Sequence, residues 1–253
     1  MTREHFFPRW LINYAGVHNE GIWWIHDEEE KVGAESATIP LCGECNHTFG
    51  TTLEGPVAEI FRQLEDGAAI SEDEAELLVR WLWKFEGLQW TAVKNDPNGR
   101  YTSRYTLRER IETSRVFNEV RDSMVLAIAL AHSNDRNEWP MGLDTPVSEN
   151  ALTMSGVFGR VALICSLSQF ADIIPDVYGK FFFGSPVAKR ANKVFLPPMS
   201  FIHAYAGAVD MTRVVGHMLA GLHDEWARRQ PPSIRPVRHR IELPYIGRSF
   251  NGA

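Results

Sequence analysis

Two short runs in this chain carry groups able to act on a phosphoester. The first is Glu4-His5-Phe6-Phe7-Pro8-Arg9-Trp10-Leu11; the second is Leu41-Cys42-Gly43-Glu44-Cys45-Asn46, followed by Leu53-Glu54. A carboxylate beside a histidine offers an oxygen ligand for a hard divalent cation and an imidazole that accepts a proton near neutral pH. The amide of Asn46 adds a neutral oxygen. Phosphodiester hydrolysis uses both functions: the metal neutralises charge on the phosphate and the leaving oxygen, and the base deprotonates water for in-line attack.

In this order, and about forty residues apart, the two runs resemble the HNH (ββα-metal) endonuclease superfamily. Its members read Asp/Glu-His-x-x-Pro and later Cys-x-x-Cys-Asn or Cys-x-x-Cys-His. The resemblance covers residues 1 to 66. It implies that Glu4 and Asn46 hold a magnesium ion, or manganese in its place, and that His5 is the general base. The form Glu-His-x-x-Pro-x-Trp-Leu with a later Leu-Glu is similar to a subgroup in which the small module precedes a larger region.

Two departures from the family pattern bear on that expectation. Many members hold a structural zinc between two Cys-x-x-Cys pairs, a closed four-ligand site, and here only Cys42 and Cys45 are present, with no pair before Met1. Three accounts stay open: a start downstream of the native one, a zinc completed by other ligands such as His18 or His26, and a site lost because the larger region supports the fold. The last is favoured. Cys42 and Cys45 are then either a zinc half-site or free thiols. The second departure is Ala37, which stands where the family places an asparagine that orients the histidine; that task must fall to another group, or activity is reduced.

Each candidate also has a plainer reading. Asn46 can turn or cap the chain before a helix, as asparagine often does, and His47 is the substitute ligand. Glu54 is a candidate to help polarise the site, with an exposed or capping carboxylate as the favoured reading. Asp27-Glu28-Glu29-Glu30 reads as a solvated loop.

The elements that must position these residues follow from periodicity. Residues 1–50, broken by Gly16, Gly21 and Gly33, read as loops and short strands, among them 21–25 and 37–41. A helix is expected from Thr51, with Thr51-x-x-Glu54 as a capping box and Leu53, Val57, Ile60, Phe61 and Leu64 at helical spacing. A second capping box, Ser71-x-x-Glu74, opens the clearest helix, whose core stripe is Leu78, Trp81, Leu82 and Phe85. Residues 107–132 read as one long helix or two short ones. Val157 to Leu167 and Lys180 to Phe183 read as buried strands. A last helix is expected over 212–229, with Val214, Met218, Leu222 and Trp226 on one face, stopped by Pro231-Pro232.

The expected fold class is therefore α+β. A small ββα module over residues 1–66 packs on a larger, helix-rich mixed α/β domain over 67–253, which selects the substrate. With 44% hydrophobic residues the chain can fill a core. No apolar run reaches the roughly 18 residues of a membrane span, and three cysteines make no disulfide framework, so a cytoplasmic protein without a membrane partner is expected.

The net charge of −6 works against a nucleic-acid binder, but the charge is uneven. Residues 1–66 hold 12 acids and four bases. Arg228, Arg229, Arg238 and Arg240 crowd the C-terminal part and suit phosphate contacts through their forked donors; an exposed tail is the plain alternative. The expectation is a nuclease acting on DNA in preference to RNA. Its rivals are an HNH-like binding or regulatory protein without chemistry, and an acidic module that mimics nucleic acid.

Overall fold

The computed structural model describes residues 2–16, 21–25, 29–92, 107–111, 120–132, 141–144, 153–183 and 201–203, with helical positions 215, 216, 218, 219 and 222 near the C-terminus. The chain opens with strand β1 (Thr2–His5), which pairs antiparallel with β4 (Thr38–Leu41). Glu4 stands opposite Ile39 and His5 opposite Thr38. Pro8 then starts helix α1 (Arg9–Ala15): its fixed φ of −63° suits the position before a first turn, and its carbonyl accepts from the N–H groups of Leu11 and Ile12. Periodicity gives no sign of this short helix, because it spans only seven residues and buries only Leu11 and Ile12. Strands β2 (Gly21–Ile25) and β3 (Glu29–Gly33) form a separate antiparallel hairpin.

After β4 the chain turns helical at Cys42, earlier than the capping-box signal at Thr51 suggests. Helix α2 (Gly43–Phe49), a wider π turn over Gly50–Glu54 and helix α3 (Gly55–Glu65) follow without a break. Thr51 is no cap: its hydroxyl lies against the carbonyls of His47 and Thr48 within the preceding turn. The apolar stripe holds, with Leu53, Val57, Ile60, Phe61 and Leu64 at most 2% exposed.

Helix α4 (Glu72–Ala92) begins where its capping box places it. The Glu74 N–H donates to Ser71 Oγ at 3.2 Å, and the Ser71 N–H donates to Glu74 Oε2 at 2.6 Å. Leu78, Trp81, Leu82 and Phe85 are fully buried, and so are Val79 and Trp83; the helix is covered on several sides. Arg80 Nε donates to the carbonyl of Ile111 at 3.0 Å, tying α4 to helix α5 (Leu107–Ile111).

The expectation of helix over 107–132 holds at α5 and is corrected beyond Ser123. The run from Met124 is strand β5 (Met124–His132), the centre of a six-stranded sheet with β6 (Met141–Asp144), β7 (Met154–Phe158), β8 (Val161–Leu167), β9 (Gly179–Phe182) and β10 (Phe201–His203). On one side of β5 the order runs β8, β7, β6; on the other, β9 and β10 pair along its length, β10 in parallel. A strand covered on both faces has no alternation, so its apolar run is indistinguishable from a buried helix. One face carries Met124, Leu126, Ile128 and Leu130 into the large core; the other carries Val125, Ala127 and Ala129 onto Val215 and Leu219.

Trp81 and Phe85 of α4 and Phe61 of α3 meet Phe158 of β7, with ring centroids 4.8, 5.5 and 6.3 Å apart. One continuous core thus runs from Phe6 to Phe183. The C-terminal helical positions shift the expected face by one residue: Val215 and Leu219 are buried and Met218 is 52% exposed. Gly216 lies directly on β7, since a Cβ there would stand 2.1 Å from Ser155 Oγ, and Leu222 of the expected face is half-buried. Val214 and Trp226 lie outside the described residues. Among the described residues no helix is long and apolar enough to cross a membrane.

Candidate functional site

Glu4 is an acid on a two-stranded ribbon, yet it is only 8% exposed. It turns inward to α4, where the Lys84 ammonium donates to its Oε1. Lys84, itself without exposed surface, also donates to Glu54 Oε1 at 2.5 Å. The second oxygen of Glu54 accepts from Trp10 Nε1 at 2.5 Å and Trp81 Nε1 at 3.2 Å. The Phe49 ring lies 5.9 Å from the ammonium. Burial works against the Lys84 ammonium, but attraction and hydrogen bonding from Glu54 and Glu4 outweigh it and hold the group above the usual lysine range. Two carboxylates share one ammonium, and the two indole N–H groups donate to the Glu54 oxygen that the ammonium does not bind.

This network explains why both runs contain the residues they do. Pro8 starts α1, which brings Trp10 to Glu54, while Leu11 and Leu53 are fully buried beside them. Glu54 is therefore neither an exposed carboxylate nor a cap. Sequence reasoning misses Lys84 and Trp81 as site residues because both sit inside an apolar stripe; the available signal is a single lysine at 84 between Trp83 and Phe85.

Asn46, on α2, reaches back to β1. Its Nδ2 donates to Thr2 Oγ1 at 3.1 Å and to the Arg3 carbonyl at 3.3 Å, so its amide oxygen is the end left for a ligand. The approach does not depend on the glycine at 43, where a Cβ would make ordinary contact with Thr2 Cγ2 at 3.6 Å. Helix α2 and Glu4 thus share one face of β1. Strand alternation sends the neighbouring His5 to the opposite face, where it is half-buried at the end of β1. There the Phe6 N–H donates to the Ala37 carbonyl at 2.8 Å; the buried Ala37 methyl offers the imidazole no hydrogen bond.

Cys42 is exposed and caps α2, its Sγ accepting from the Cys45 N–H at 3.0 Å. Hydrogen bonds from Cys45 hold the Cys42 thiol below the ordinary cysteine range. Cys165, by contrast, is buried in β8, and burial pushes its thiol up to about 12. Among the described residues no group of three or more His, Cys, Asp and Glu could hold a metal ion. His47 is exposed. His18, His26, Arg228, Arg229, Arg238 and Arg240 lie outside the described residues, as do Asp27 and Glu28; Glu29 and Glu30 open β3.

Comparison of the chain with protein-family models, with curated proteins and with solved structures gives no match.

Proposed function

We propose that this protein is a metal-dependent endonuclease of the HNH type, hydrolysing phosphodiester bonds of nucleic acid, DNA in preference to RNA. The observation that carries the reading is the bond from Asn46 Nδ2 to the Arg3 carbonyl, 3.3 Å across 43 residues. It joins the two runs whose residue types suit the reaction, on a strand pair followed by a helix. The residue types, though not a closed ligand group, are those a hard cation such as Mg2+ or Mn2+ takes: Glu4 has a second carboxylate oxygen beyond the one bound by Lys84, and Asn46 has its amide oxygen. When bound, the metal supplies charge neutralisation at the phosphate. His5 would accept the proton of the attacking water, a role open to an imidazole in its neutral form; its place at the end of β1, across the strand from Glu4 and Asn46, is the feature that works against this assignment. Arg228, Arg229, Arg238 and Arg240 would contact phosphates, and Cys42 with Cys45 would form half of a zinc site.

A second reading is favoured by the Glu4–Lys84 pair, which commits one oxygen of the first motif's carboxylate to an internal cation. On that reading the chain keeps the scaffold as a nucleic-acid-binding or regulatory protein without chemistry. The two are separated by incubating the full chain with supercoiled plasmid and Mg2+ or Mn2+, beside an EDTA control and the His5→Ala variant. Cleavage that needs both metal and His5 supports the endonuclease. An intact plasmid in every lane, with single-stranded DNA and RNA also uncut, removes the endonuclease and leaves the binding protein.

A further inference from the structure

We infer that Lys84, on α4, is a positioning residue for the site on β1 and α2; the inference rests on the endonuclease reading. All three groups around the ammonium belong to elements that carry or adjoin that site. Glu4 is the neighbour of His5, Phe49 lies one turn beyond Asn46 on α2, and Glu54 closes the π turn that follows α2. One buried cation therefore fixes the carboxylate of β1 relative to the helix that bears Asn46. Asn46 adds a second tie between the same elements through Thr2 and Arg3.

Stability alone is a poor reason for this arrangement. A buried ion pair gains little over well-packed apolar groups of the same volume, whereas its hydrogen bonds are directional and tie the carboxylates to one ammonium. An ammonium with two carboxylates and a ring around it constrains where Glu4 points, and with it the oxygen left for a metal. A group that orients a ligand in this way influences metal affinity and turnover without touching substrate. The helix that completes the site thus lies beyond residue 66.

The test uses the full chain as wild type, as Lys84→Arg, and as the double variant Lys84→Met with Glu54→Gln. The double variant keeps the net charge of the cluster, and the amide introduced by Glu54→Gln still accepts from Trp10 and Trp81. Near-ultraviolet circular dichroism and a cooperative melt report whether the fold is retained. Mn2+ binding is read from the electron paramagnetic resonance of the free ion, and plasmid cleavage gives kcat and KM. Mn2+ affinity and kcat both fall about tenfold or more in the double variant, with KM for DNA unchanged, as expected of an outer-shell partner. A folded double variant that binds Mn2+ and cleaves like wild type overturns the inference. If the double variant does not fold, Lys84→Arg decides: its longer guanidinium displaces Glu4, so kcat falls at unchanged KM, and an unaltered kcat overturns the inference. A wild-type chain that neither binds Mn2+ nor cleaves defeats the endonuclease reading itself, and the inference with it; that outcome is visible before any variant is compared.

Discussion

Lys84 of α4 donates to Glu54 Oε1 at 2.5 Å from a position without exposed surface. The pair joins the end of one helical run to the middle of another, in an interior where an uncompensated charge is costly. Truncation as Lys84→Ala leaves Glu4 and Glu54 buried without their cation and lowers stability by about 3–5 kcal/mol. The double variant Lys84→Met, Glu54→Gln loses much less. Urea denaturation of both measures the difference, and equal losses would show that the charges are not the cause.

Asn46→Ala removes two hydrogen bonds to β1 and the amide oxygen together. Net stability falls by about 1–2 kcal/mol, the ordinary worth of such bonds. On the endonuclease reading the Mn2+ concentration for half-maximal cleavage rises about tenfold. Asn46→Asp restores an oxygen ligand but not the donor to Thr2 and Arg3, so it recovers metal dependence without recovering the melting temperature.

The three thiols differ in reach. With a disulfide reagent such as DTNB, Cys42 and Cys45 react within the mixing time or soon after, while Cys165 reacts only on unfolding, because a buried thiol held in its neutral form is inert. Cys165 also adds an alkaline limit to stability. Its folded pKa of about 12 lies above the unfolded value of 9.0, so its contribution is complete below pH 9 and is lost as the pH rises toward 12. The slope is at most about 1.4 kcal/mol per pH unit. Cys165→Ala flattens the decline over that window. An identical decline in the variant would assign it to other groups.

Gly159 turns between β7 and β8 with φ of +58°, and a Cβ there would stand 2.3 Å from Tyr14 Cε1 of α1. Gly159→Ala meets both backbone strain and a half-buried ring packed against the core, and it destabilises by about 2–3 kcal/mol. Tyr14→Ala in the same background relieves the steric part and restores some of the loss. A Gly159→Ala melt at the wild-type temperature would show that the turn can move away from α1.

Local signals in the sequence are legible wherever the physics is local. The box Ser71-x-x-Glu74 and the stripe Leu78, Trp81, Leu82, Phe85 mark α4, because a cap and a one-sided apolar face are made by residues three or four apart. The strands at 21–25 and 38–41 are legible as short apolar pieces between turn residues; β8 and β9 are legible only as apolar runs too short for an ordinary helix. The residue types of the two motifs are legible as well, from Glu4 and His5 to Cys42, Cys45 and Asn46. Those types set what the chain could do chemically.

Only the tertiary structure decided the rest. Met124 to His132 is a strand because sheet neighbours and two packed faces surround it; periodicity is silent where both faces are buried. Glu54 and Lys84 are partners because α3 and α4 pack together, and a charge in a helical sequence carries no mark of what lies across from it. Likewise, the sequence places Glu4 and His5 side by side, but the pleat of β1 separates their faces, and it is Glu4 that turns inward to Lys84. Pairings across 30 to 80 residues depend on how elements stack, and stacking is set by the summed apolar surface of the whole core.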